Sequence, residues 1–260
     1  MSTLEAIILG LIQGLTEFLP VSSSGHIELT KAILGVEVKD DLMFTLTVHG
    51  ATVLSTIVVF YKDIARLVRE GIKFRHNESV SYIGKILISM IPIGLAGVLF
   101  KDRIEELFNG NLVFVGAMLL VTGALLLFTY YAGKGEGSIS YKSALLVGLA
   151  QTIAILPGIS RSGSTIATGL LLGISKEEVT KFSFLMVLLP IIGANVMAIA
   201  SIEITATTIS PWILGIGFIT AFISGFLACK WMISIVRKGK LTYFAIYCFV
   251  AGTIAMLMSS

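Results

Sequence analysis

The stretch Gln13 to His26, QGLTEFLPVSSSGH, sets an amide, a carboxylate, three consecutive hydroxyls and an imidazole inside an apolar region. Gln13 and Glu17 are four residues apart, so on a helix both project from one face toward the Pro20 break. A carboxylate and an amide oxygen are hard donors that can hold Mg2+ or Ca2+ together with phosphate oxygens. With a single carboxylate, such a cation leans heavily on its substrate. Ser22, Ser23 and Ser24 can donate to an anion or cap a helix. His26 can exchange a proton near neutral pH, or sit satisfied in a core.

A second stretch, LPGISRSGST at Leu156 to Thr165, adds Ser160, Arg161, Ser162, Ser164 and Thr165. Arginine at the centre of a membrane helix costs about 2.5–3.5 kcal/mol on insertion scales, so Arg161 calls for an anion or a wet cavity. An ion pair with Glu17 satisfies the charge and leaves the hydroxyls unexplained. One serine per break suffices for capping. Several hydroxyls per break, backbone N–H groups at helix starts and a guanidinium fork together suit phosphate oxygens. His49 and Asn195 read as packing or interhelical hydrogen-bonding residues. Glu28 is either a second acidic ligand or a residue of the mouth.

These groups need elements that hold them at depth in lipid. The chain has 55% hydrophobic and 13% charged residues, with a mean hydropathy of +0.94. That leaves too little polar surface to coat a soluble globule, and predicts an all-α polytopic membrane protein. The net charge of +3 is too small and too dispersed for a nucleic-acid partner. Cys229 and Cys248 lie in apolar runs without metal-ligand spacing and read as small buried hydrophobes. The N-terminus runs straight into the first motif, so no removable signal peptide is expected. No Walker pattern, dinucleotide fingerprint or zinc-spaced His pair appears.

Six runs are long enough to span a bilayer, near 42–61, 80–100, 112–131, 178–202, 212–236 and 241–258. Segments 3–35 and 140–173 are each broken in the middle and predict two re-entrant helical hairpins, whose breaks must be buried in protein or line a cavity. The hairpins are copies: a shift of 138 residues lays GLIQ on GLAQ, Ser22 on Ser160, Ser24 on Ser162 and Gly25 on Gly163. The prolines are offset by one residue, so the breaks need not share a shape. One hairpin plus three spans per copy predicts one integral membrane domain, 1–260, of two inverted repeats, 1–137 and 138–260.

In this topology Lys62, Arg66, Arg69, Lys73, Arg75, Lys85, Lys134, Lys142, Lys176, Lys181, Lys230, Arg237, Lys238 and Lys240 gather on one side. Only Lys31, Lys39, Lys101 and Arg103 fall on the side where the first hairpin opens. The positive-inside rule therefore opens that hairpin outward.

QGLTEFLPVSSSGH and LPGISRSGST resemble the two signature regions of the bacterial undecaprenyl-diphosphate phosphatases of the bacitracin-resistance type, and the resemblance spans essentially the whole chain. It implies an integral membrane enzyme, which together with the charge asymmetry gives a multi-pass protein of the bacterial plasma (inner) membrane with its active site opening to the outer (periplasmic) face. The implied reaction removes the terminal phosphate of undecaprenyl diphosphate, recycling the carrier lipid for peptidoglycan and cell-wall synthesis. Carried over, the acidic motif falls on Gln13 and Glu17, the serine and histidine on Ser23 and His26, and the phosphate-binding arginine on Arg161. Many members have a glutamate where this chain has Gln13. The type 2 phosphatidic acid phosphatases share a Ser-Gly-His element, but their acceptor histidine, six positions after the arginine, is Ala167 here.

The expected site is therefore Glu17, Ser23, His26 and Arg161 for chemistry, with Ser22, Ser24, Ser160, Ser162 and Thr165 on the substrate. Glu17 and Gln13 would hold the divalent cation. Ser23 is the expected nucleophile with His26 as base; attack by His26 itself is the alternative. A secondary transporter or flippase of a phosphorylated polyprenyl lipid is the competing function, and a homodimer is compatible with either.

Overall fold

The computed structural model describes all residues except 36–40, 74–76, 108–109, 134, 202–208 and 259–260. Lys39, Arg75 and Lys134, which entered the charge asymmetry, lie outside the described residues. Helix α1 (Thr3–Phe18) starts at a capping box between Ser2 and Glu5 and stops at extended Leu19. The stop is imposed by Pro20, which disfavours helical geometry at the residue before it and lacks an N–H. After the break, α2 (Ser23–Leu34) begins at N-cap Ser22 and ends at left-handed Gly35.

Next come α3 (Asp41–Val59), α4 (Tyr61–Gly71), α5 (Glu78–Leu99), the short α6 (Lys101–Glu106) and α7 (Leu112–Phe128). The second hairpin is α8 (Tyr141–Ile153) and α9 (Arg161–Leu171), followed by α10 (Lys176–Met186), α11 (Leu188–Ser201), α12 (Pro211–Arg237) and α13 (Thr242–Leu257). Among the described residues no strand forms; a lone parallel bridge joins Gly137 to Ile174.

By length and apolarity, α5, Leu112–Tyr131 and α12 can each cross a membrane, and α13 is a shorter apolar helix. Two segments differ from the sequence expectation. The run read as 178–202 is two helices divided at Val187. Pro190 sits in the first turn of α11, where it tolerates its missing N–H but cannot continue α10. Tyr61–Gly71, at and beyond the end of the run expected near 42–61, forms the helix α4, bent 78° from Met43–Val59. It buries Leu67 and turns Arg66 and Arg69 outward, the pattern of a helix lying along an interface.

The polarity of the molecule is inverted relative to a soluble globule. Gln13, Glu17, Ser55, Thr56, Ser89, Thr122 and Gln151 are buried, whereas Leu95, Val98, Ile219, Ile223 and Leu227 face outward. Exposed Tyr61, Tyr130, Tyr131, Trp231 and Tyr243 cluster near helix ends, as aromatic belts do at membrane boundaries. This is a multi-pass membrane protein.

Packing partners exchange between the halves. α1 of the first hairpin packs on α12, α8 of the second packs on α5, and α7 pairs with α13. Small residues allow the approach: a Cβ on Gly10 would lie 2.8 Å from Gly217 O, and one on Gly148 only 2.2 Å from Ser89 O. Gly10 and Gly148 are related by the same 138-residue shift.

Candidate active site

The two breaks meet. Ser162 Oγ donates to Leu19 O at 3.2 Å, and Arg161 pairs with Glu17 across 144 positions of chain. Backbone carbonyls freed at the breaks find side-chain donors, as a low-dielectric setting requires. Cys248 Sγ on α13 reaches Pro20 O at 3.7 Å, and Thr122 on α7 donates to Gly158 O at 3.0 Å. Pro20 and Gly158 are again repeat-equivalent. The breaks differ in length, 19–22 against 154–160, and the longer one turns through Gly158 at φ +99, where a Cβ would fall 2.4 Å from Val115 O.

Ser22 and Ser160 are the two N-caps: Ser22 Oγ accepts from Gly25 N at 3.3 Å and Ser160 Oγ from Gly163 N at 3.1 Å. Ser22 is the one described non-glycine residue with positive φ, 68°. Such backbone costs of order 1–3 kcal/mol and persists where its surroundings enforce it. Here it hands the next residue, Ser23, directly to the carboxylate.

Ser23 Oγ donates to Glu17 Oε2 at 2.7 Å, and Gln13 Nε2 donates to the same oxygen at 3.0 Å. Arg161 Nη2 pairs with Glu17 Oε1, while its Nη1 has no protein partner. The carboxylate thus orients a hydroxyl and one arm of a guanidinium. The other arm is buried without a protein partner.

A cavity of about 530 Å³ runs from this cluster toward Glu28 and Lys31. Glu17, Ser22, Ser23, Ser24, Ser160 and Arg161 line it, joined by Thr45 and His49 of α3, Gln151 of α8 and Asn195 of α11. Glu28 pairs with Lys31 at 3.2 Å near its mouth. Ser162 faces an adjoining narrow pocket with Ser183, Thr52 and Thr56. Thr165 turns away to hydrogen-bond Ser183 Oγ at 2.6 Å and its own helix.

His26 is not brought to Ser23. Its Nδ1 lies 2.8 Å from Ser22 O. A carbonyl only accepts, so the proton is on Nδ1 and Nε2 accepts from Tyr247 O–H at 2.7 Å. The ring lines a separate groove of about 810 Å³ with Trp231, Lys238, Lys240 and Tyr247. The imidazole lining the Glu17–Arg161 cavity is His49, whose Nδ1 is 2.9 Å from Thr45 O. A readable signal existed for it: Thr45, His49, Thr52 and Thr56 recur at helical spacing on an otherwise apolar helix.

Residues 6–254 match the family described as Bacitracin resistance protein BacA. A protein of Parabacteroides distasonis called undecaprenyl-diphosphatase is 54% identical over 260 residues, covering 98% of both chains. One of Bacteroides fragilis with the same name is 54% identical over 263 residues, 100% of this chain and 99% of the relative. One of Christiangramia forsetii, also so named, is 50% identical over 100% and 99%. With its signature stretches folded into one polar site and its sequence matched almost end to end, the chain belongs to the bacitracin resistance protein BacA family.

Proposed function

We propose that this protein hydrolyses undecaprenyl diphosphate to undecaprenyl phosphate and inorganic phosphate, at the junction of its two hairpins. The observation that carries the reading is the Ser23–Glu17–Arg161 chain. It presents a hydroxyl bound to a carboxylate and a guanidinium arm without a protein partner, on one cavity inside a membrane protein. Family membership and the relatives' names supply the substrate. Resistance to bacitracin and a place in cell-wall lipid recycling follow from that reaction.

In the mechanism, Arg161 Nη1 and the hydroxyls hold the terminal phosphoryl group for in-line attack. Ser23 Oγ bonds to the terminal phosphorus as its proton passes to Glu17 Oε2, and the bond from that phosphorus to the bridging oxygen breaks. The lipid phosphate departs with the electron pair; it needs no proton, because a phosphate monoester has a second pKa of about 6. Water then takes the phosphoryl group from Ser23, whose oxygen regains the proton held by Glu17. His26 acts here as a positioning residue, tying the strained Ser22 carbonyl to Tyr247.

Gln13 Oε1 is buried without a protein partner beside Glu17, an orphaned hard acceptor suited to Mg2+ or Ca2+. Among the described residues no three His, Cys, Asp or Glu stand together, so a cation held by Glu17 and Gln13 would complete its shell with substrate oxygens. Bound there, it would neutralise diphosphate charge.

The exchanged packing of α1 on α12 and α8 on α5 supports two inverted repeats. With the Lys and Arg asymmetry it supports two re-entrant hairpins and a plasma-membrane orientation in which the cavity opens to the periplasmic side. The test is phosphate release from undecaprenyl or farnesyl diphosphate by purified protein, with and without chelator. Absence of release from both substrates with metal present refutes the assignment, and unchanged release in chelator refutes the cation.

A further inference from the structure

We propose that Gln151 is a substrate-binding residue, its side-chain amide donating to a non-bridging oxygen of the diphosphate. This rests on the hydrolase reading and extends it to a residue of the second repeat. Under the 138-residue shift Gln151 is the counterpart of Gln13, and Ile155 is the counterpart of Glu17. Gln13 Nε2 is satisfied by Glu17 at 3.0 Å. In the second repeat the amide is retained while its acceptor is replaced by an alkyl group.

The consequence is visible in the site. Gln151 is 1% exposed, and neither its Nε2 nor its Oε1 has a hydrogen-bond partner in the protein. An amide buried in this way is unfavourable unless something binds it, and a leucine or methionine could fill the same volume without that penalty. Gln151 and Ile155 both line the cavity that holds Ser23, Glu17 and Arg161. Arg161 Nη1 is likewise without a partner. Two donors without protein partners thus belong to residues that line one cavity, and a diphosphate presents only acceptors. An amide N–H suits the second position because it adds a contact without adding charge.

Gln151→Leu and Gln151→Glu test this in the full-length protein in detergent with Mg2+. For Gln151→Leu the KM for farnesyl diphosphate should rise about tenfold, the value of one hydrogen bond to a charged group, with kcat within about twofold. Gln151→Glu should be worse, because its carboxylate opposes the phosphates. The thermal midpoint of unliganded Gln151→Leu should equal or exceed that of the native protein, and inorganic pyrophosphate should raise the native midpoint more than the variant's. A lower midpoint with native KM would assign Gln151 a structural role and overturn the proposal. So would an unchanged KM, or equal stabilisation of both proteins by pyrophosphate. If the native protein releases no phosphate, the hydrolase reading fails and the pyrophosphate shift alone decides the Gln151 contact.

Discussion

Arg161 holds Glu17 through Nη2 and keeps Nη1 free of protein partners, on a residue that lines the cavity. Arg161→Ala should therefore lower kcat/KM by at least about a thousandfold. Arg161→Lys should recover little, because an ammonium cannot serve both directions in the geometry of the fork. Steady-state phosphate release checks both. Ser23 and His26 should separate cleanly: Ser23→Ala should abolish turnover while a non-hydrolysable diphosphate still binds. His26→Ala should retain measurable turnover, since the ring faces Tyr247. Rapid-quench trapping should find phosphate on serine; phosphohistidine would reverse the assignment. Glu17→Gln should lose activity at every metal concentration, because the amide neither accepts the Ser23 proton nor pairs with Arg161. Full rescue by excess Mg2+ would instead reduce Glu17 to a metal ligand.

The hairpins are held to tolerances of less than one methyl group. A Cβ at Gly148 would strike the Ser89 backbone, whereas one at Gly94 meets nothing within 4 Å. Gly148→Val should push α8 off α5 and displace the break bearing Arg161, destabilising by about 1–3 kcal/mol as overpacking does. Gly94→Ala should be neutral or slightly stabilising, since it only removes backbone freedom from a helix interior. Thermal unfolding and activity of the two variants in detergent give the comparison. Equal loss at both positions would mean that contact between α5 and α8 does not position the site.

The inverted polarity of the chain, with glutamines and hydroxyls inside and leucines outside, makes lipid its solvent and leaves orientation to charge. Cysteine placed at Arg69 on α4 should react with an impermeant thiol reagent only after the inner face is exposed. One at Glu106, 64% exposed on α6, should react in intact cells. The native Cys229 and Cys248 are buried and should stay silent. The opposite labelling pattern would turn the Glu17–Arg161 cavity toward the cytoplasm.

Much of this architecture is legible in the order of residues because its causes are local. Pro20 and the caps Ser22 and Ser160 end and restart helices within a turn of themselves. Both hairpins could therefore be placed, with Glu17, Ser23 and Arg161, from covalent and propensity rules alone. The 138-residue repeat was readable for the same reason. Side-chain direction was not, because it depends on which helix lies across the gap. Tyr247, 221 positions away, draws His26 out of the cavity; Ser183 draws Thr165 aside; and the packing of α3 beside α1 brings His49 in. The fate of Gln151 also required the fold: a buried amide is costly or useful according to what faces it, and that is set by packing between distant segments.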